Sequence, residues 1–170
     1  MPLEACHEDH AVYLAGFAPS TVKVGVTRRW RLETRLREQG ADRAAHVRSV
    51  ENGRIARQLE SDLSRRFPDR VRVSSKIETL HTSFDEAVWN DLLEEFEPRR
   101  TFDFDYGFEV SARPVTETIA SGTITGTKGR VLVLDRSGTT YATDLRSLVG
   151  HEVSPGRASL QLQSSFARFE

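Results

Sequence analysis

The sequence predicts an α+β fold built from two parts. In the first part, short segments with continuous or alternating apolar residues are followed by segments in which apolar residues recur every three or four positions, which indicates strands and then helices. The second part consists of short strand-like segments separated by glycines. We therefore expect a three-stranded sheet with flanking helices in residues 1–98, a small antiparallel barrel-like β region in residues 99–160 and a tail in residues 161–170.

Two strands are predicted at the start of the first part. Residues 11–15 form a continuous apolar run, which is typical of a strand buried on both faces. In residues 22–26 three valines alternate with Lys23 and Gly25. One face of this second strand is therefore apolar, and the other carries a cation beside a position without a side chain.

Two helices and a further strand between them are predicted next. Apolar residues at helical spacing indicate helices over residues 30–39 and 54–67. Gly40 is expected to end the first helix, because glycine accepts the left-handed conformation found there. In the second helix we expect Ile55 on the buried face and Glu60 at its margin.

Glu60 is a candidate metal ligand. A carboxylate at the margin of an apolar face is partly removed from water, so it needs a cation or a hydrogen-bond donor. The alternative is a glutamate that pairs with Arg57 or Arg66 on a solvated surface.

One more helix is predicted before the second part. Ser83-Phe84-Asp85-Glu86 has the pattern of a capping box, with Ser83 as the N-cap. The helix is expected to run to about residue 96, with Val88 in its buried stripe. Val71 and Val73, before it, suggest a short strand or an extended link.

The second part is predicted to consist of short strands. The expected segments are residues 102–109, 110–119, 122–127, 130–135, 139–144 and 151–153. Ser137-Gly138 is expected to form a hairpin turn. Short strands at this even spacing favour a small antiparallel barrel.

Composition indicates an ordinary globular protein. Hydrophobic residues make up 38% of the chain, charged residues make up 29%, and the net charge is −1. No apolar run approaches the roughly 20 residues that a membrane-spanning helix needs. A single cysteine, Cys6, excludes a disulfide within the chain, and we expect the protein in the cytoplasm, with no membrane partner.

The charges are unevenly distributed. Residues 21–80 carry 15 basic and 8 acidic side chains, whereas residues 81–110 carry 2 basic and 9 acidic ones. A basic segment is suited to phosphate binding, although a solvated arginine-rich surface is the alternative. Arg28, Arg29 and Arg31 are our candidates for contacts to a nucleic-acid backbone.

Four short motifs occur in the first part in a characteristic order. They are Ala11-Val12-Tyr13 in the first strand, Lys23-Val24-Gly25 in the second strand, Arg35-Leu36 in the first helix, and Ala56 with Glu60 in the second helix. In this order they resemble the motifs of the GIY-YIG nuclease superfamily. More narrowly, the chain resembles a family of uncharacterised, mainly prokaryotic proteins with a divergent GIY-YIG core, which share the Lys-Val-Gly strand and the turn Glu38-Gln39-Gly40-Ala41.

The resemblance implies a GIY-YIG-like sheet and metal-dependent cleavage of a phosphodiester. Tyr13, Lys23 and Arg35 would be the catalytic residues, and Glu60 would bind Mg²⁺ or Mn²⁺. Tyr13 would orient or activate the attacking water, while Arg35 and Lys23 would hold the phosphate. The implied function is a structure-directed endonuclease that acts on nucleic acid, more readily DNA than RNA, in repair or replication.

Two departures from the superfamily pattern leave a second function open. Ala11 stands where the first glycine is usual, and Lys23 stands where a tyrosine is usual. A lysine binds phosphate as a point charge but does not replace a phenol. The alternative is a catalytically inactive nucleic-acid-binding adaptor that is recruited to the sliding clamp.

The C-terminal tail resembles the peptide by which proteins bind the sliding clamp, PCNA. Gln163, Phe166 and Phe169 have the spacing in which a glutamine amide and two apolar side chains share one face of a single helical turn. The alternative is a last strand over residues 158–169.

Overall fold

The computed structural model describes residues 8–118, 120–152 and 154. Within these residues the chain forms four α-helices and two four-stranded sheets, so the predicted α+β class is confirmed. The strands are β1 (His10–Phe17), β2 (Thr21–Arg28), β3 (Arg43–Val50), β4 (Arg100–Asp103), β5 (Val115–Thr116), β6 (Thr123–Lys128), β7 (Val131–Arg136) and β8 (Thr139–Asp144). The helices are α1 (Leu32–Gln39), α2 (Gly53–Leu63), α3 (Val73–Glu78) and α4 (Glu86–Phe96), with 3₁₀ turns at Arg29–Arg31 and Leu145–Leu148.

The first sheet has the strand order β2-β1-β3-β4, and all of its pairs are antiparallel. β1 is buried from its second residue onward, as the continuous apolar run predicted. Three strands were expected in this sheet, and β4 is the fourth. It covers the edge of β3 that would otherwise expose unpaired backbone groups.

Both faces of the first sheet are buried. On one face Tyr13 of β1 packs with Leu32 and Leu36 of α1 and with aromatic side chains from β4 onward. On the opposite face Val24 of β2 packs with Trp89 of α4 and with residues of α2. This alternation follows from the period of two along a strand.

The helix ends show how local sequence sets these elements. Asn52 caps α2 by accepting a hydrogen bond of 2.9 Å from the backbone nitrogen of Ile55. α4 is capped by Asp85, whose carboxylate accepts from Ala87 and Val88, so the prediction of Ser83 as the N-cap was wrong. Aspartate is as good a cap as serine, and the backbone nitrogen of Asp85 is tied to Pro19.

Three further expectations about this part are corrected. Ile55 and Val88 are 48% and 40% exposed, so neither lies in the core. Each lies at the edge of an apolar stripe that is only partly covered by the sheet. Val73 begins the helix α3 rather than an extended link, and Ile77 anchors that helix with 2% exposure.

The second sheet has the strand order β5-β8-β7-β6, in which β5 and β8 are parallel and the other pairs are antiparallel. Ser137 and Gly138 form the predicted hairpin turn, and both have positive φ angles, as a two-residue turn of this kind requires. Neither described sheet closes into a barrel, because β2 and β4 are open edges of the first sheet and β5 and β6 are open edges of the second. The barrel-like arrangement is therefore corrected to an open sheet, with α3 packed on one face.

The two sheets meet at the C-terminal end of α1. Gly40 ends this helix in the left-handed conformation, with a φ of 69°. The turn between β6 and β7 contains Gly129, where an added Cβ would lie 2.6 Å from the backbone nitrogen of Gly40. Two glycines therefore allow two backbones to approach more closely than side chains would permit.

Two lysines reinforce this junction. Lys128 forms an ion pair of 2.5 Å with Asp42, and both side chains are less than one-fifth exposed, at 15% and 18%. Lys76 of α3 donates a hydrogen bond of 2.6 Å to the backbone carbonyl of Gln39. No helix among the described residues is long and apolar enough to cross a membrane.

Candidate active site

Tyr13 lies at the centre of the predicted site and is almost fully buried. It is opposite Gly25 in the pairing of β1 with β2, and its side chain is only 2% exposed. A Cβ at Gly25 would lie 2.5 Å from both Cζ and the hydroxyl oxygen of Tyr13. The missing side chain in the Lys-Val-Gly motif thus provides the space for the phenol ring.

The Tyr13 hydroxyl is held by the end of α1. The Nε2 group of Gln39 donates a hydrogen bond of 2.7 Å to it. Burial raises the pKa of Tyr13, while the hydrogen bond from Gln39 and the nearby charge of Arg35 partly oppose that rise. Since the shift is upward, Tyr13 is a protonated phenol at neutral pH and is able to donate a hydrogen bond.

Lys23 lies on the same face of the sheet as Tyr13. Its ammonium donates a hydrogen bond of 2.9 Å to the backbone carbonyl of Asp69. Burial lowers the pKa of Lys23, and Arg35 lowers it further, whereas Glu60 and Asp69 raise it. The predicted phosphate-binding lysine is therefore more easily deprotonated than an ordinary surface lysine.

Glu60 projects from α2 and is partly buried, with 23% side-chain exposure. Its nearest cation among the described residues is Arg57, at 3.8 Å, which is the pairing that the alternative interpretation expected. Glu60 also lines an open cavity of about 230 Å³, together with His10 and Arg28 at the ends of β1 and β2. This carboxylate is therefore accessible to a small ion or to water.

Charged side chains of α1 and α2, which pack on opposite faces of the first sheet, both act on Tyr13 and Lys23. Arg35 of α1 and Glu60 of α2 each influence the pKa of both Tyr13 and Lys23. The arrangement has two cations, one carboxylate and one phenol, which is a chemical set suited to a phosphodiester.

The residues around Glu60 fit the divalent cation implied by the resemblance only if the cation binds together with the substrate. Among the described residues no group of three or more histidine, cysteine, aspartate or glutamate side chains could hold a metal ion. Mg²⁺ usually keeps several waters and takes one or two carboxylates together with substrate phosphates. Glu60 alone therefore suits a cation that arrives with a phosphate substrate, rather than one that is held permanently by the protein.

The three arginines predicted to bind phosphate each form an ion pair with a different carboxylate. Arg28 pairs with Glu8 at 2.8 Å, and Arg29 pairs with Asp9 at 3.4 Å. Arg31 pairs with Glu38 on the outer surface of α1 at 3.2 Å. All three are exposed pairs of the kind that contributes little to stability, so these guanidinium groups are available to a phosphate at small cost.

Sequence reasoning missed two kinds of residue near this site. Gln39 was expected in the helix and in the Glu-Gln-Gly-Ala turn, but no signal indicated that its amide would hold Tyr13. Its Oε1 atom is buried without a hydrogen-bond partner among the described residues. Arg99 and Arg100 were also missed, because β4 joins this sheet through a pairing that is distant in sequence.

The predicted clamp-binding residues Gln163, Phe166 and Phe169 lie outside the residues that the structure describes. The tail is therefore still a prediction from sequence.

Comparison with known proteins gives a family but no activity. Residues 3–153 match a family described as a protein of unknown function, DUF2797. The chain belongs to this DUF2797 family. No curated protein matches the chain, and no solved structure matches it. The DUF2797 match spans both sheets, so the contact between Gly40 and Gly129 lies inside the matched region.

Proposed function

We propose that the first sheet with α1 and α2 is a divergent GIY-YIG core, and that the protein is a metal-dependent, structure-directed endonuclease. The observation that supports this most is the position of Tyr13 opposite Gly25, with Lys23 on the same face of the sheet and the charges of Arg35 and Glu60 acting on both. DNA is the expected substrate ahead of RNA, in repair or replication. The antiparallel order β2-β1-β3, with a tyrosine facing a glycine across two strands, also supports the relation.

Each residue has a role that its surroundings favour. Arg35 and Lys23 bind the oxygens of the scissile phosphate, as a guanidinium fork and a point charge respectively. Tyr13, whose pKa is raised by burial, donates a hydrogen bond and orients the attacking water rather than removing its proton. The lowered pKa of Lys23 also allows a different role, in which its neutral amine accepts that proton and Arg35 is the cation that binds the phosphate.

Glu60 is the proposed cation ligand. A divalent cation bound there with the substrate would stabilise negative charge on the leaving oxygen. Glu60 lies at the edge of the site, where the cavity shared with His10 and Arg28 leaves room for a hydrated ion.

A second function is favoured by a different observation. Tyr13 is 2% exposed behind Gln39, and the Lys23 ammonium is already bonded to the carbonyl of Asp69. A buried phenol and an occupied lysine suit a nucleic-acid-binding adaptor without catalysis. The tail with Gln163, Phe166 and Phe169 would then recruit this adaptor to the sliding clamp.

The deciding experiment measures cleavage of labelled flap, nicked and single-stranded DNA, and of the matching RNAs, with Mg²⁺ or Mn²⁺. Wild type is compared with Glu60→Gln and with Tyr13→Phe. Asp62→Asn is the matched control, since Asp62 is an exposed carboxylate on the same helix. We expect wild type and the control to cut, and the other two variants to lose 100-fold or more in rate.

The other outcomes are equally informative. Binding without cutting by all four proteins would favour the adaptor. Equal cutting by wild type and Glu60→Gln would remove Glu60 from the mechanism. Deletion of residues 163–170 should weaken binding to purified clamp without changing cleavage, and an unchanged clamp affinity would end the proposal for the tail.

A further inference from the structure

A second open cavity lies on the α1 side of the first sheet, away from Glu60. Its volume is about 480 Å³, which is within the range of small-molecule sites. The residues that matter for its chemistry are Arg29, Trp30, Glu33, His46, Arg99 and Arg100. They come from the turn before α1, from α1, from the neighbouring strands β3 and β4, and from the residue just before β4.

Trp30 is the most unusual residue of this cavity. Its side chain is 71% exposed, whereas the other tryptophan, Trp89, is 3% exposed in the core. The guanidinium of Arg31 lies 5.9 Å from the centre of the Trp30 ring. An indole in this position contributes little to the core, but it provides an aromatic face on which a base could stack.

Three arginines make the cavity electropositive. Arg29 and Arg100 form ion pairs of 3.4 and 3.7 Å with Asp9 and Glu33, and all four side chains are at least half exposed. Arg99 is exposed and lines the same cavity. Exposed pairs of this kind are weak, and a phosphate group offers the bidentate geometry that guanidinium groups prefer.

The pKa of His46 is affected by the three arginines, but the His46 ring itself carries no charge. It is 6% exposed and pairs with Arg100 across β3 and β4. Burial lowers the pKa of His46, and Arg29, Arg99 and Arg100 lower it further, so the ring is neutral at neutral pH. The same ring bonds to the Ser49 hydroxyl at 3.1 Å, which fixes its position in the wall of the cavity.

The cavity is close to the candidate active site. Tyr13 pairs with His46 across β1 and β3, and His46 pairs with Arg100 across β3 and β4. Because neighbouring strands are about 4.8 Å apart, roughly 10 Å separates the backbones of Tyr13 and Arg100. A nucleic-acid strand that reaches one site therefore passes near the other.

We propose that this cavity binds one unpaired nucleotide of a nucleic-acid strand. Its base stacks on Trp30, and its phosphate is held by Arg29, Arg99 and Arg100. A paired base within a duplex is stacked between its neighbours and does not reach an indole. This inference rests on the proposed function and specifies its substrate class, which is a structure with an unpaired segment, such as a flap, a gap or an overhang.

The test is binding of a labelled 12-nucleotide oligothymidylate, measured by fluorescence anisotropy with the full chain. We expect Trp30→Ala to weaken binding about tenfold, because stacking on one aromatic residue contributes this much, and Trp30→Phe to restore most of the affinity. The Arg99→Ala/Arg100→Ala variant should also reduce the slope of log affinity against log salt by about 1.4. Arg146→Ala, an exposed arginine of the second part, is the matched control and should bind like wild type.

Ligand comparisons separate the possible sources of binding. Quenching of Trp30 fluorescence by the oligonucleotide, but not by a blunt duplex, supports the proposal. Equal binding of an abasic oligomer of the same length would overturn it, because charge alone would then account for the affinity. Thymidine monophosphate with the affinity of the oligomer would overturn the assignment to a strand in favour of a free nucleotide.

Failure of this proposal is distinguishable from failure of the endonuclease. If binding depends on Trp30 but no cleavage occurs, the nucleotide site is supported and the endonuclease proposal is wrong. If the protein cleaves nucleic acid and Trp30→Ala binds the oligonucleotide as tightly as wild type, the endonuclease is supported and the nucleotide site is wrong. Glu60→Gln, which lies outside this cavity, should keep the full dependence on Trp30.

Discussion

The two ends of α1 differ sharply in packing and in the cations around them. At its C-terminal end Gly40 and Gly129 bring two backbones together, and Lys76 and Lys128 bond to one partner each inside the junction. At the N-terminal end, Trp30 and its neighbouring arginines face solvent. One end is therefore closed by the second sheet, and the other is open to a ligand.

The choice of cation follows this difference. The chain contains 24 lysine and arginine residues, of which only Lys23, Lys76 and Lys128 are lysines. Lys76 and Lys128 lie at the closed end, and both Lys23 and Lys128 lower the pKa of Lys76. A compact ammonium suits a single partner in a tight space, whereas a guanidinium fork suits an exposed phosphate. We infer that the closed end positions Gln39 and Tyr13, and that the open end recognises the substrate.

The largest effect is expected at the closed end. Gly129→Ala adds a Cβ 2.6 to 2.8 Å from backbone atoms of residues 38–40, at a φ of 57°. Left-handed strain and backbone overlap together should lower the free energy of unfolding by about 3 kcal/mol, measured by urea denaturation. Gly138→Ala is the control, because its φ is also positive but nothing lies within 4 Å, and it should cost about 1 kcal/mol. Equal losses would mean that the turn does not clamp α1.

A smaller effect is expected where the closed end holds the phenol. Gly25→Ala forces the Tyr13 ring to move, since the new Cβ would lie 2.5 Å from Cζ. Overpacking of this kind costs about 2 kcal/mol of unfolding free energy. In a Tyr13→Leu background the same substitution should cost less than about 0.5 kcal/mol, because the ring tip is gone. If the cost of Gly25→Ala is the same in both backgrounds, the glycine is not required by contact with the Tyr13 ring.

The junction should also respond to pH. The pKa of Lys76 is lowered to about 8, first by burial and then by Lys23, Arg130 and Lys128. A lysine with a lower pKa in the folded state binds its proton more tightly in the unfolded chain. The unfolding free energy should therefore rise with pH between about 8 and 10.5, and the cost of the charged form is fully present below pH 8.

Comparison with Lys76→Met isolates this titration from that of other groups. The stability of wild type relative to the variant should increase by about 1 to 2 kcal/mol across the window, after allowance for solvent screening. Urea denaturation at pH 7, 8, 9 and 10 measures the difference. A difference that stays constant over these pH values would show that Lys76 does not titrate in the junction.

Much of the closed end was predictable from local sequence. The apolar run of β1, the alternation in β2 and the glycine after α1 each specify an element within a few residues, because strand and helix periods are local. The contact of Gly40 with Gly129 was not predictable, since it joins segments far apart in the chain. The turn Glu38-Gln39-Gly40-Ala41 was identified as a motif, but nothing in its sequence indicated which segment it contacts.

The open end was less predictable. Arg29 and Arg31 were selected because they follow β2 in a basic segment. Arg99 and Arg100 stand in a strongly acidic segment, and only the pairing of β4 with β3 brings them to the same cavity. α3 was missed for a related reason. It has six residues, and it is held by contacts with β7 and β8 rather than by helical propensity.

The smallest effect on stability is expected at Trp30. Its indole is 71% exposed, so Trp30→Ala should change the free energy of unfolding by less than about 0.5 kcal/mol, although it should weaken binding to single strands about tenfold. Urea denaturation followed by circular dichroism measures the first quantity independently of fluorescence. A loss above about 1 kcal/mol would mean that the indole packs against the fold, and the weakened binding would then reflect a damaged cavity. Stability and binding that separate in this way would show that the open end of α1 is built for a ligand and the closed end for the fold.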